Sequence, residues 1–156
     1  MTELPALLAL LAGANVDYVL VGGVAAVAHG SARLTMDVDV VYSRRRANVE
    51  RLVAALSGHS PYLRGAPPGL PFRWDVSTVE RGLNFTLTTD LGPLDLLGEI
   101  PGGGTFEELR PEAVTLRVFG IDCLCLSLPQ LIRAKRAAGR PKDLEALAEL
   151  EALLEE

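Results

Sequence analysis

Three aspartates set in apolar, strand-forming surroundings constrain this chain more than any other feature. Asp37-Val38-Asp39 opens a run that continues through Val40-Val41-Tyr42, and Asp95 stands alone in Pro93-Leu94-Asp95-Leu96-Leu97. In an extended segment residues two apart point to one face, so Asp37 and Asp39 stand side by side while Val38 and Val40 turn to the core. An acid with leucines on both sides in a strand is costly to bury unpaired. The three carboxylates are therefore expected to converge from neighbouring strands onto something positive. For the Asp-x-Asp pair alone the competing reading is a solvated sheet edge, where inward-pointing charge discourages edge-to-edge pairing. Asp95, and a glycine pair upstream, weigh against it.

That pair, Gly22-Gly23, ends an apolar run fourteen residues before Asp37. Glycines at such a turn let backbone N–H groups approach a triphosphate closely. The natural cation is Mg²⁺, a hard ion that takes oxygen ligands and needs only a few carboxylates beside substrate phosphates; thiolate-rich sites belong to softer metals. Two such ions about 3.5–4 Å apart stabilise the attacking and leaving oxygens of an in-line displacement at phosphorus. The leading reading is metal-dependent transfer of a nucleotidyl group, with Asp37, Asp39 and Asp95 holding two Mg²⁺ ions. Asp95 would also orient or deprotonate the attacking hydroxyl.

Size and composition bound this reading. A chain of 156 residues fits one domain, residues 1–156, and buries about two thirds of its unfolded surface. Hydrophobic residues make up 49% of it, yet no apolar run approaches the roughly 18 residues of a membrane span. Met1 to Pro5 lacks the basic region of a secretory signal, so a cytoplasmic location is expected. Cys123 and Cys125 would point the same way on a strand without disulfide geometry, and no Cys/His cluster has zinc spacing. A formal charge of −5 gives no global attraction to nucleic acid and favours a cationic small acceptor over RNA. Basic residues gather instead at Arg44-Arg45-Arg46 and between Arg133 and Lys142, while glutamates load the tail.

Along the chain, the spacing predicts a helix over Leu4 to Leu11, a strand over Asp17 to Val21, a small-residue helix over Val24 to Ala28, a strand over Val38 to Tyr42 and a helix over Arg45 to Leu56. Ser57 to Pro71, rich in Gly and Pro, reads as a surface loop. Leu83 to Thr89 and Leu94 to Leu97 read as a hairpin about Asp90-Leu91-Gly92. Gly102-Gly103-Gly104 lacks the neighbours of a phosphate-binding loop and reads as a flexible connector. A strand pair follows, Val114 to Val118 and Ile121 to Leu126. Ser127 is the expected N-cap of the next helix, Gly139 its end, and Pro141 the start of the last. Phe72, Trp74 and Phe85 read as core aromatics. The sum is an α+β domain, a mixed sheet flanked by helices and closed by a helical hairpin.

Leu20-Val21-Gly22-Gly23 and Asp37-Val38-Asp39-Val40 resemble the signature of the nucleotidyltransferase superfamily, the polymerase-beta-like fold. More narrowly, Arg33 to Asp39 and Lys135 to Leu144 resemble AbiEii-type abortive-infection toxins and related small uncharacterised proteins. The resemblance implies transfer of a nucleoside monophosphate from an NTP onto a hydroxyl of an RNA, a protein or a small molecule, with pyrophosphate leaving, and an antitoxin partner where the protein is a toxin. It carries Asp37, Asp39 and Asp95 over as metal ligands. Arg33 and Lys135 are candidates to steady the triphosphate, against surface ion pairing for each. Arg140, Lys142 and Asp143 stand between a functional role and an ordinary helix start. Many members that modify large acceptors carry a further helical region after the last acidic helix present here. The alternatives are a non-catalytic nucleotide-binding or interaction module on the same fold, and an antibiotic-type small-molecule adenylyltransferase.

Overall fold

The computed structural model describes residues 3–31 and 37–155. In chain order the elements are α1 (Leu4–Gly13), β1 (Tyr18–Val21), α2 (Gly22–Ala28), β2 (Val38–Tyr42), α3 (Arg46–Leu56), β3 (Tyr62–Leu63), α4 (Val76–Arg81), β4 (Phe85–Thr89) and β5 (Gly92–Leu97). They continue with β6 (Glu99–Ile100), β7 (Gly104–Thr105), α5 (Phe106–Leu109), β8 (Val114–Val118), β9 (Ile121–Cys125), α6 (Leu128–Ala138) and α7 (Pro141–Glu155). Seven strands form one mixed sheet in the order β3-β4-β5-β2-β1-β9-β8, and β6 pairs with β7 in a separate ribbon. The expected α+β architecture with a mixed sheet and a C-terminal helical hairpin is the one found. Among the described residues no helix is long and apolar enough to cross a membrane.

The central strands are buried on both faces, which is why β1 and β2 read as near-continuous apolar runs. Val19, Leu20, Val38, Val41, Leu94 and Leu96 have no exposed surface. Leu7, Leu8 and Leu11 of α1 complete this core, at the helical spacing that puts them on one stripe. Asn48 pins α3 to the sheet: its side-chain amide donates to the Asp17 and Ser43 carbonyls, and its Oδ1 accepts from the Asp17 N–H. Such a buried amide is tolerable because its hydrogen-bonding capacity is used.

The elements depart from the sequence-based expectation in four places. Helix α2 begins at Gly22 rather than Val24, because Gly22 takes a left-handed φ of +64° and turns the strand directly into the helix. The Ser57 to Pro71 segment is not wholly irregular. Tyr62 and Leu63 add a short edge strand opposite Thr88 and Leu87, and Tyr62 packs edge-on against Phe72. Two short helices were not expected. The Asp75 side chain accepts from the Thr78 N–H ahead of α4, and Thr105 and Glu108 form a reciprocal capping box on α5, both legible helix-start signals.

The fourth departure is the glycine triplet, which is not a loose connector: Gly102 and Gly103 lie in the turn of the β6–β7 ribbon and Gly104 begins β7. A side chain at Gly102 would lie 2.7 Å from the Ala137 Cβ and 2.8 Å from the Arg133 carbonyl oxygen. The ribbon therefore rests backbone against α6. Gly102 also has a φ of +74°, so replacing it strains the chain twice. Gly102→Ala is expected to destabilise the protein by about 1–3 kcal/mol in chemical denaturation. Gly58→Ala, where a Cβ meets nothing within 4 Å, should leave the midpoint almost unchanged.

Candidate active site

Strand register builds the acidic wall of the site. In the antiparallel pair β1–β2 Val21 stands opposite Asp39, and in the parallel pair β2–β5 Asp39 stands opposite Asp95. The turn at Gly22, Asp39 and Asp95 thus lie in a row across three adjacent strands. Asp37, two residues before Asp39, joins them on the same cleft. Both neighbours of Asp39 in the chain are core residues, Val38 fully buried and Val40 1% exposed, as the period of two requires. Gly22 is obligatory in this packing: a Cβ there would sit 2.3 Å from the Asp39 Oδ2.

Burial and neighbouring carboxylates act on Asp39 at this wall. Burial pushes the Asp39 carboxyl up to about 7; a hydrogen bond shared with Asp95 and the charges of Asp95 and Asp37 push the same way, and Arg64 opposes them. Arg64 Nη2 donates to Asp95 Oδ1 at 2.8 Å and to the Leu87 carbonyl at 2.7 Å. Its Nε is buried without a hydrogen-bond partner. Sequence reasoning missed this residue. It follows the two-residue edge strand β3 in a Gly/Pro-rich stretch, where no periodicity assigns a side chain to a face. Among the described residues no three His, Cys, Asp or Glu side chains are already gathered as a metal cage.

A second, basic wall comes from α6, the link after it and the start of α7. Lys135, Arg140 and Lys142 line the same cleft of about 470 Å³ as Gly22, Gly23 and the three aspartates. Asp143, with no exposed surface, ties this wall together. It accepts from Lys135 Nζ at 3.1 Å, from Arg140 Nε at 2.6 Å and from the Arg140 N–H at 3.3 Å. The last bond caps the start of α7, so Asp143 serves the helix start and the ion pairs at once. Of the residues singled out in the sequence, Gly22, Gly23, Asp37, Asp39, Asp95 and Lys135 meet at one cleft; Arg33 lies outside the described residues. Neither histidine enters it. The His29 ring bonds the Leu126 carbonyl and His59 pairs with Asp90.

No family model and no curated protein matches the sequence. Among solved structures the chain is similar to the lincosamide antibiotic adenylyltransferase LnuA, determined with lincomycin bound, at a TM-score of 0.63 and 16% identity. It is also similar to a protein of Thermotoga maritima provisionally assigned as a nucleotidyltransferase, at a TM-score of 0.55 and 17% identity. Each alignment covers 97% of this chain and 96% of the other. The likeness is one of fold, and it bears out the nucleotidyltransferase fold expected from the glycine and Asp-x-Asp motifs. It does not reach the narrower resemblance to AbiEii-type toxins.

The Arg140 hydrogen bond, helped by Lys135 and opposed by burial, holds the Asp143 carboxyl down at about 2. The folded value lies below the unfolded one, so this group's contribution is present above the ordinary carboxylate range, near 4, and is lost as pH falls towards 2. Asp143→Asn is expected to cost about 1–3 kcal/mol at neutral pH. In urea denaturation the gap between the two proteins should close as pH drops from about 4 to 2.

Proposed function

We propose that this protein is a nucleotidyltransferase, moving a nucleoside monophosphate from an NTP to a hydroxyl of its acceptor. One observation carries the reading: a single cleft sets three carboxylates and the Gly22-Gly23 turn against three cationic side chains. A nucleoside triphosphate undergoing attack at its α-phosphorus asks for both walls. The donor set on the acidic wall is all oxygen, which suits a hard divalent ion. A cation there would relieve the crowding of Asp39, whose carboxyl is raised by burial and by its carboxylate neighbours. A cage of three ligands is not needed beforehand, since Mg²⁺ binds through one or two carboxylates and completes its shell with waters and phosphates. Held by Asp37, Asp39 and Asp95, one or two Mg²⁺ ions would neutralise charge between carboxylates and phosphates.

The chain's own groups then have defined tasks. Asp95, with one oxygen on Arg64, would either help hold the metal or take the proton of the attacking hydroxyl. The acceptor oxygen bonds to the α-phosphorus, the bond to the bridging oxygen breaks, and that electron pair leaves with pyrophosphate. Lys135, Arg140 and Lys142 receive the growing charge on the leaving group. Gly22 and Gly23 let the backbone approach the phosphates without a side chain in between. The LnuA likeness over nearly the whole of both chains favours a small-molecule acceptor, adenylylated as an antibiotic is, over an RNA or a protein. A toxin role with an antitoxin partner rests on the sequence resemblance alone.

Thermal unfolding with each NTP, with and without Mg²⁺, tests the reading. Wild type is expected to gain stability from a preferred NTP only when Mg²⁺ is present, by about 2.7 kcal/mol at a hundred times the dissociation constant. Asp37→Asn/Asp39→Asn should lose that gain. Gly22→Ala, which displaces the Asp39 carboxylate without removing a charge, should lose it too. An undiminished gain in the double variant, or none for wild type at millimolar NTP, would overturn the proposal.

A further inference from the structure

The glycine triplet of the β6–β7 ribbon has no place in the nucleotide chemistry, yet it builds a wall beside it. Holding the ribbon against α6 leaves a slot of about 200 Å³ between them. Leu97, Ile100 and Pro101 form one side and Leu131, Ala134 and Ala138 the other. The last three recur at i, i+3 and i+7 on α6 and so share one face. The two alanines leave the space that larger side chains would fill. Val21 and Leu126 also line the slot. Gly22, Asp39, Leu97, Lys135 and Arg140 border both this slot and the 470 Å³ cleft, so the slot opens at the carboxylates.

We propose that this slot receives the apolar part of the acceptor, which makes the acceptor a small amphiphilic molecule bearing its reactive hydroxyl next to an aliphatic group. The inference rests on the nucleotidyl-transfer reading and narrows it. Cavities for whole ligands run to about 300–1,000 Å³, so a slot of this size takes one moiety and leaves the remainder in the open cleft. Its walls are mainly aliphatic; Asp39, Lys135 and Arg140 stand where it meets the cleft, and Asp143, ion-paired with Lys135 and Arg140, also lines it. A nucleobase seated between the aliphatic side chains, away from those four charged groups, would leave ring nitrogens and exocyclic groups without partners there, a cost of several kcal/mol in an apolar setting. An alkyl or alicyclic group loses nothing on entering and gains about 25 cal/mol for each Å² removed from water. Because Asp39 stands at the junction, with Asp95 beside it in register, a hydroxyl on the first carbons outside the slot arrives at the acidic wall.

The test uses straight-chain primary alcohols, 1-butanol to 1-octanol, titrated into protein with labelled Ile, Leu and Val methyl groups. Saturable shifts are expected at Leu97, Ile100 and Leu131, with affinity rising about three- to fourfold per added methylene until the slot is full. Saturating ATP and Mg²⁺ should shift the Val38 and Val40 methyls and leave the alcohol midpoint within a factor of two. Ala134→Phe, which fills the slot, should abolish the alcohol shifts while the Leu7 and Leu8 methyls keep native positions; Ala138→Leu should weaken them if the bulkier variant unfolds. No saturable shift at the three slot residues overturns the inference, as does a midpoint raised tenfold or more by ATP, which would give the slot to the base. Silence of Val38 and Val40 towards ATP and Mg²⁺, with the slot still filling, would instead strike at the nucleotidyl-transfer reading itself.

Discussion

Asp39 and Asp95 face each other in register across a parallel strand pair, with Arg64 as the cation hydrogen-bonded to Asp95. Like charges at such positions are destabilising, and partial burial strengthens the repulsion because the medium screens it less. A protein built only for stability would place a polar or apolar pair there. The surrounding sheet is therefore arranged to hold a repulsion in place. Buried valines and leucines fix the register, since a slip of one residue would turn Asp39 into the core and Val38 and Val40 out of it. Glycine at position 22 then leaves the space that the Asp39 carboxylate occupies.

The site contrasts two aspartates with opposite surroundings. Asp143 is over-supplied with donors from Lys135, Arg140 and the backbone, and its carboxyl is held low. Asp39 is partly buried beside two other carboxylates, and its carboxyl is pushed up. Linkage gives the two opposite signs. A carboxyl raised in the folded state binds its proton more tightly there than in the unfolded chain, so its contribution weakens folding as pH rises from about 4 towards 7. A cation would relieve the crowding of carboxylates on the acidic wall, whereas on the basic wall Asp143 answers part of the charge of Lys135 and Arg140. Arg64 holds an intermediate place. It answers part of the acidic charge and fixes one oxygen of Asp95, while its Nε stays buried without a hydrogen-bond partner.

What the sequence disclosed and what it hid follow from range and period. Asp37, Asp39 and Asp95 were legible because strand periodicity assigns each side chain to a face, and an acid among leucines conflicts with burial unless it has a task. Gly22-Gly23 was legible because the apolar run stops there. Helix starts at Ser127 and Pro141 were legible from capping chemistry, and both are helix starts in the structure. Arg64 was not, because an edge strand of two residues carries no period. The double part played by Asp143 was not, because its bond to Lys135 crosses from one helix of the hairpin to the next. The glycine triplet was read as slack where it is close packing, since a sequence without its partners cannot distinguish a glycine chosen for freedom from one chosen for contact.

That distinction shapes how the fold admits function. Gly22 and Gly102 both have positive φ and both lack room for a Cβ, but they yield space to different things. At Gly22 the neighbour is a carboxylate, so the missing side chain permits a charge to stand beside the backbone. At Gly102 the neighbours are the Arg133 carbonyl and Ala137, so the missing side chain draws a ribbon onto a helix and encloses apolar space next to that charge. The first makes a polar surface and the second a mainly apolar one. The proposed nucleotidyl transfer would need both within reach of a single phosphorus, since its two substrates would have to be told apart by chemistry before they could be joined. In this chain the separation is made by two close backbone contacts, and the common border at Gly22 and Asp39 is where the two kinds of surface meet.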